Sequence, residues 1–227
     1  MIVGEFIIIF ASSVRISGMY PFQRSNMITT DPCESFLKHI GNHVDLDPDA
    51  MDLIASRISP VELPSKHVIL REGNKCDKVH FIVSGLARSY YTDFSGKTVT
   101  WSFHFNNESS ILRDLFALDC PAFLTNGVSS ITIETLSEVT ALVITKEATN
   151  YLTKNSPQYE IWMRKLNESS YLNMYQRAFT LLTMTAGERY QKLLKDEAHL
   201  LQLFSSYYIA SYLGIAPQSL SRIKSQK

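Results

Sequence analysis

The sequence predicts an α+β protein in three parts: an N-terminal antiparallel β-roll of jelly-roll type, a long dimerisation helix, and a C-terminal all-α helix-turn-helix unit. Three observations predict it. From Val61 the apolar pattern takes a period of two and is cut repeatedly by glycine turns. From about residue 157 to 184 it takes a period of three to four. The final stretch, YIASYLGIAPQSLSRIKSQK, reads as two short helices about a glycine.

Taken in order, residues 1–27 are expected to be a disordered extension, with Met1, Met19 and Met27 as alternative starts. The apolar run Phe6–Ala11 is too short to span a bilayer, and Glu5 stands where a secretory signal wants Lys or Arg. The roll domain is assigned to residues 28–155. It opens on two short helices, one with Phe36, Leu37 and Ile40 on its apolar face. The other starts at Asp47-Pro48 and carries Met51, Ile54 and Ile58 inward. Strands rich in Val, Ile, Phe and Tyr follow, broken at Glu72-Gly73-Asn74, Ser84-Gly85 and Ser95-Gly96, with a second strand region at Ile131–Ile144.

The dimerisation helix is assigned to residues 156–184. Tyr159, Trp162 and Leu166, then Leu172, Tyr175, Phe179 and Leu182, keep helical spacing, and Ser169-Ser170 is expected to interrupt it. A long amphipathic helix wants a partner; a second copy is the simplest one, and its own roll is the alternative. Trp162, Leu166, Tyr175 and Phe179 are the candidate dimer residues. Thr185-Ala-Gly-Glu188 is a capping box opening another helix through Leu194.

The last domain, 185–227, carries the clearest chemistry. Ile209, Ala210 and Leu213 share one helix face, Gly214 stops that helix, Pro217 starts the next, and Leu220 and Ile223 turn it back onto the first. The outward face of the second helix then holds Gln218, Ser219, Ser221, Arg222 and Lys224. Gln pairs bidentately with adenine and Arg with guanine, so Gln218, Ser219 and Arg222 are candidate base readers of double-stranded DNA. Ser221 and Lys224 are candidate phosphate contacts. A plain helical hairpin closing a core is the competing account of the same spacing. Ala216 cannot cap the second helix, as Ser or Thr would.

Composition agrees with a sensing part joined to a nucleic-acid-binding part. The chain has 22 Lys+Arg and 22 Asp+Glu, yet residues 1–155 hold 13 basic against 17 acidic side chains, and residues 156–227 hold 9 against 5. Cys33, Cys76 and Cys120 are far apart, with no CxxC or Cys-His spacing, so no zinc or iron–sulfur site is expected, and a reducing cytoplasm suits them.

The order of these parts resembles the Crp/Fnr family of bacterial transcription regulators, over about residues 34–224. Gly73, Gly85 and Gly96 resemble the turn glycines of a cyclic-nucleotide-binding-type roll, the helix at 157–184 resembles the family's dimerisation helix, and YIASYLGIAPQSLSRI resembles its helix-turn-helix. The resemblance implies a non-enzymatic, homodimeric DNA-binding regulator. Pro217, Gln218, Ser219 and Arg222 then fall on base-contacting positions. DNA, a second copy of the chain and RNA polymerase are the implied partners, with no membrane.

The effector site departs from the family's pattern. Arg113-Asp114-Leu115 replaces Gly-Glu-Leu, and Ser129-Ser130 stands where Arg-Ser or Arg-Thr holds the cyclic phosphate. Without that Arg the phosphate loses its counter-charge, so cyclic AMP is not expected to bind in the usual manner, and these five residues mark a degenerate effector pocket whose ligand is open. No cofactor is expected. Two rivals stand: a sensor or interaction protein on this fold without DNA binding, and a cupin-like metalloenzyme using His67, His80 and His104, which lack the His-x-His pair such sites need.

Overall fold

The computed structural model describes residues 31–225, so the extension expected over 1–27 lies outside the described residues. Each of the first two helices starts on an aspartate followed by proline. Asp31 accepts the Cys33 N–H at 3.0 Å before α1 (Pro32–Gly41), and Asp47 accepts the Ala50 N–H at 2.8 Å before α2 (Pro48–Ala55). The carboxylates satisfy donors the helices leave open, and proline has no N–H to lose there. Phe36, Ile40 and Ile54 are fully buried as the spacing predicts, whereas Met51, expected inward, is 39% exposed.

Among the described residues, eight strands make two four-stranded antiparallel sheets, as the alternating pattern predicts. They are β1 (Ser59–Leu63), β2 (Val68–Leu70), β3 (Lys78–Ser84), β4 (Ala87–Thr92), β5 (Thr98–His104), β6 (Phe116–Ala117), β7 (Thr132–Thr135) and β8 (Val139–Thr145). One sheet runs β1-β8-β3-β6 and the other β2-β7-β4-β5, which leaves β5 outermost. Two short helices, α3 (Leu112–Leu115) and α4 (Cys120–Thr125), flank β6. Gly85 turns β3 into β4 at φ +90°, and a Cβ there would lie 2.1 Å from the Glu138 carbonyl oxygen, so only glycine fits.

After α5 (Lys146–Asn155) comes α6 (Pro157–Thr183), 27 residues long and capped by the Ser156 hydroxyl on the Tyr159 N–H. It runs unbroken through Ser169 and Ser170, where the sequence suggested an interruption. Serine costs only a fraction of a kcal/mol inside a helix, and packing on both sides of the pair carries it. The first half of α6 lies on its own roll: Tyr159 and Trp162 join Phe36, Phe81, Phe116 and Leu142 in the largest core cluster, with Leu166 packed against it.

Four helices complete the chain: α7 (Ala186–Asp196), α8 (Leu200–Leu203), α9 (Ser206–Tyr212) and α10 (Pro217–Ser225). The predicted capping box is formed, with Thr185 Oγ1 accepting the Glu188 N–H and the Glu188 carboxylate accepting the Thr185 N–H. These helices share one apolar cluster with the roll. Phe103 of β5 stacks on Phe204 with ring centroids 3.9 Å apart, and Phe105, Tyr190, Leu193, Ile209, Leu213 and Leu220 surround the pair. Polar contacts fix the same seam. Ser211 Oγ accepts the Thr100 N–H at 2.9 Å and donates to the Thr98 carbonyl at 3.0 Å. Among the described residues no helix is long and apolar enough to cross a membrane.

Candidate nucleic-acid interface and sensor cavity

The α9–α10 turn is built as its residues dictate. Gly214 takes φ +68°, the Ile215 N–H reaches back to the Ala210 carbonyl at 3.0 Å, and the Gly214 N–H reaches the Ser211 carbonyl at 3.1 Å. This is the double closure of a Schellman motif, which needs a left-handed residue just past the helix. Ala210 is fully buried in the same apolar cluster as Leu220, which is 1% exposed. Burying Leu220 and half-burying Ile223 turns the other face of α10 outward: Pro217, Gln218, Ser221, Arg222 and Lys224 are exposed and Ser219 is half-buried. Arg222 makes no ion pair among the described residues, while Lys224 Nζ donates to Ser206 Oγ at 3.1 Å.

The candidate dimer residues divide. Tyr175 and Phe179 are 57% and 48% exposed, their rings nearly parallel with centroids 6.3 Å apart, and Tyr171, Leu172 and Leu182 extend the same apolar stretch of α6. Trp162 is 1% exposed and Leu166 is half-buried, both against the chain's own roll. As candidate partner contacts these two are corrected. An amphipathic stripe says that a helix is covered, not by what.

The five candidate effector residues do different work. The Arg113 guanidinium is ion-paired to Asp114 at 3.3 Å and to Glu197 at the end of α7, so it ties the roll to the C-terminal helices. Asp114 is 4% exposed and accepts the Ile111 N–H at 2.9 Å; burial raises its carboxyl from the ordinary value, with Arg113 opposing. Leu115 is a core residue. Ser129 and Ser130 converge on Asp119: the Ser129 hydroxyl donates to Oδ2 at 2.8 Å, the Ser130 N–H to Oδ2 at 3.0 Å, and the Ala122 N–H to Oδ1 at 3.2 Å. A carboxylate of the chain itself thus fills a set of donors at the start of α4. The Asp119-Cys120-Pro121 sequence, an N-cap followed by proline, is the signal by which it could have been found.

Above this cluster a cavity of about 540 Å³ lies between the roll and α6. Its walls include Trp101, Phe116, Phe123, Trp162, Met163 and Leu166. His104 and Tyr159 also face it; burial pushes the imidazole down to about 4 and the phenol up to about 12. Arg177, which the sequence does not single out, lies on the same wall at 8% exposure. Of the barrel histidines, His67 borders β2, His80 lies on β3 and His104 on β5, and no group of three potential metal ligands forms among the described residues.

Residues 60–156 match the family model of the cyclic nucleotide-binding domain. The match runs from β1 to the cap of α6 and so covers the roll and the short helices within it. No curated protein matches the chain. Solved structures do. FixK2 from Bradyrhizobium japonicum aligns with a TM-score of 0.63 at 16% identity, covering 74% of this chain and 83% of that one. The c-di-GMP-responsive global regulator CLP from Xanthomonas campestris aligns with a TM-score of 0.62 at 12% identity, covering 79% and 91%. A protein described as a crp/fnr-family transcriptional regulator from Eubacterium rectale aligns with a TM-score of 0.59 at 16% identity, covering 80% and 83%. At these identities the likeness establishes the fold: a cyclic nucleotide-binding roll, a long helix and a helical C-terminal unit in one order.

Proposed function

We propose that the chain is a homodimeric DNA-binding transcription regulator of Crp/Fnr type, working in the cytoplasm as a binder and not a catalyst. The observation that carries this reading is α10 itself, a short helix held by a Schellman turn with Gln218, Ser221, Arg222 and Lys224 on its open face. Two copies paired along the exposed half of α6 would set two such helices in successive major grooves, about 34 Å apart. The roll would act as the sensing part. Its donors at Ser129, Ser130 and Ala122 already hold the Asp119 carboxylate, and a cyclic phosphate brought there would meet like charge where it needs a cation. The residues present therefore do not suit a cyclic nucleotide bound through its phosphate. The fold of the neighbours and the outward polar face support DNA binding over the rival, a sensor that binds no DNA.

The test is fluorescence anisotropy of the purified chain on the DNA upstream of its own gene, across a salt series, with and without cyclic AMP. Selective, salt-steep binding indifferent to cyclic AMP is expected. Arg222→Ala is expected to cost about 1–3 kcal/mol and to relax preference at one base pair. A uniform loss over all sequences would make Arg222 a phosphate contact, and no selective binding by the intact chain would favour the rival.

A further inference from the structure

We infer that the cavity between the roll and α6 takes an apolar carboxylic acid whose carboxylate meets Arg177. The walls set the body of the ligand. A space of about 540 Å³ bordered by Trp101, Phe116, Phe123, Trp162 and Met163 has the size of a small-molecule site and the surface of a hydrocarbon one.

Arg177 sets the head. Arg88 reaches Glu134 at 2.7 Å, Arg113 has Asp114 and Glu197, and the half-buried Arg189 spreads its donors over the Leu213, Leu181 and Met184 carbonyls. Arg177, at 8% exposure, has no carboxylate within ion-pair distance among the described residues. Its Nη2 donates to the Thr100 carbonyl at 3.3 Å and to the Tyr212 carbonyl, its Cζ lies over the Tyr212 ring 3.8 Å from the centre, and its Nε–H is buried without a partner. An uncompensated buried charge and an orphaned donor both cost free energy. Burial accordingly pulls the guanidinium below its ordinary value. A carboxylate arriving through the cavity would relieve both.

The charge count limits the ligand to one anionic group. The other lining cation, Arg113, is already engaged, and Asp119 presents a satisfied negative charge on the same wall. The Arg177 bond to the last carbonyl of α9 gives such a ligand a direct hold on the helix pair. That coupling rests on the proposed function; the ligand class does not.

Both tryptophans of the chain line the cavity, so intrinsic fluorescence of the full chain reads occupancy. Decanoate should change it saturably and bind about tenfold or more tighter than decan-1-ol, the return on one charge-assisted contact. Arg177→Met should remove that preference and leave decan-1-ol unaffected. Equal affinity for acid and alcohol, a preference that survives Arg177→Met, or no saturable change with either would overturn the inference. If the variant does not fold, the acid–alcohol comparison on the unaltered chain decides alone. Preference for decanoate in a chain that binds no DNA would support this inference and count against the proposed function.

Discussion

Asp119 receives two backbone N–H groups and two hydroxyls, from Ala122, Ser130 and Ser129, and is 3% exposed. A cap that began as local helix chemistry thereby occupies donors an external anion would need. Single residues set hard limits elsewhere too. At Gly85 a side chain would need both a positive φ and space that the Glu138 carbonyl and Val139 already fill. Gly85→Ala is expected to destabilise by well over 1 kcal/mol, because strain and overlap act together. Chemical denaturation reads this as a lower midpoint; an unchanged midpoint would mean the β3–β4 turn can be rebuilt without glycine.

At the scale of the element, α6 changes partner midway. Its N-terminal half closes the roll through Tyr159 and Trp162, while Tyr171, Leu172, Tyr175, Phe179 and Leu182 are open. Tyr175→Asp with Phe179→Asp is therefore expected to halve the mass in sedimentation while leaving the melting temperature near that of the native chain. Trp162→Ala is expected to cost about 3–5 kcal/mol of stability without weakening association of what remains folded. The reverse pattern would return the dimer contact to the first half. The same helix marks how far the sequence could be read. Its existence, the Thr185 box and the α9–α10 turn were legible because each is written in residues a few positions apart. Which half of α6 is free was not, because spacing is identical whether a stripe meets its own roll or a second copy. Nor was Arg177, whose partners Thr100 and Tyr212 lie 77 and 35 positions away and become neighbours only when β5 meets α9.

Over the whole molecule, three imidazoles, His104 buried and His39 and His80 half-buried, make stability depend on acid. His39, His80 and His104 are pushed down to about 4, in each case chiefly by burial. In the unfolded chain they take up protons near pH 6.5. The unfolded state thus binds more protons between about pH 6.5 and 4, and stability falls as pH drops through that window. Asp114, raised by burial, works in the opposite direction, but it is one carboxyl against three imidazoles. Urea midpoints taken from pH 7 to 4.5 should decline steadily; a flat profile would mean these histidines gain water or partners on protonation.

Ser211 and Arg177 answer the outward backbone groups of β5, the last strand of its sheet: the Thr98 and Thr100 carbonyls and the Thr100 N–H. A strand in that position is a template for edge-to-edge pairing with other chains unless something blunts it. Here the blunting is supplied by helices of the C-terminal half, and Phe204 covers the aromatic side of the same strand. A movement that frees α9 to travel therefore also uncovers an aggregation-prone edge, so protection against self-association and freedom of the C-terminal helices are set against each other at one seam.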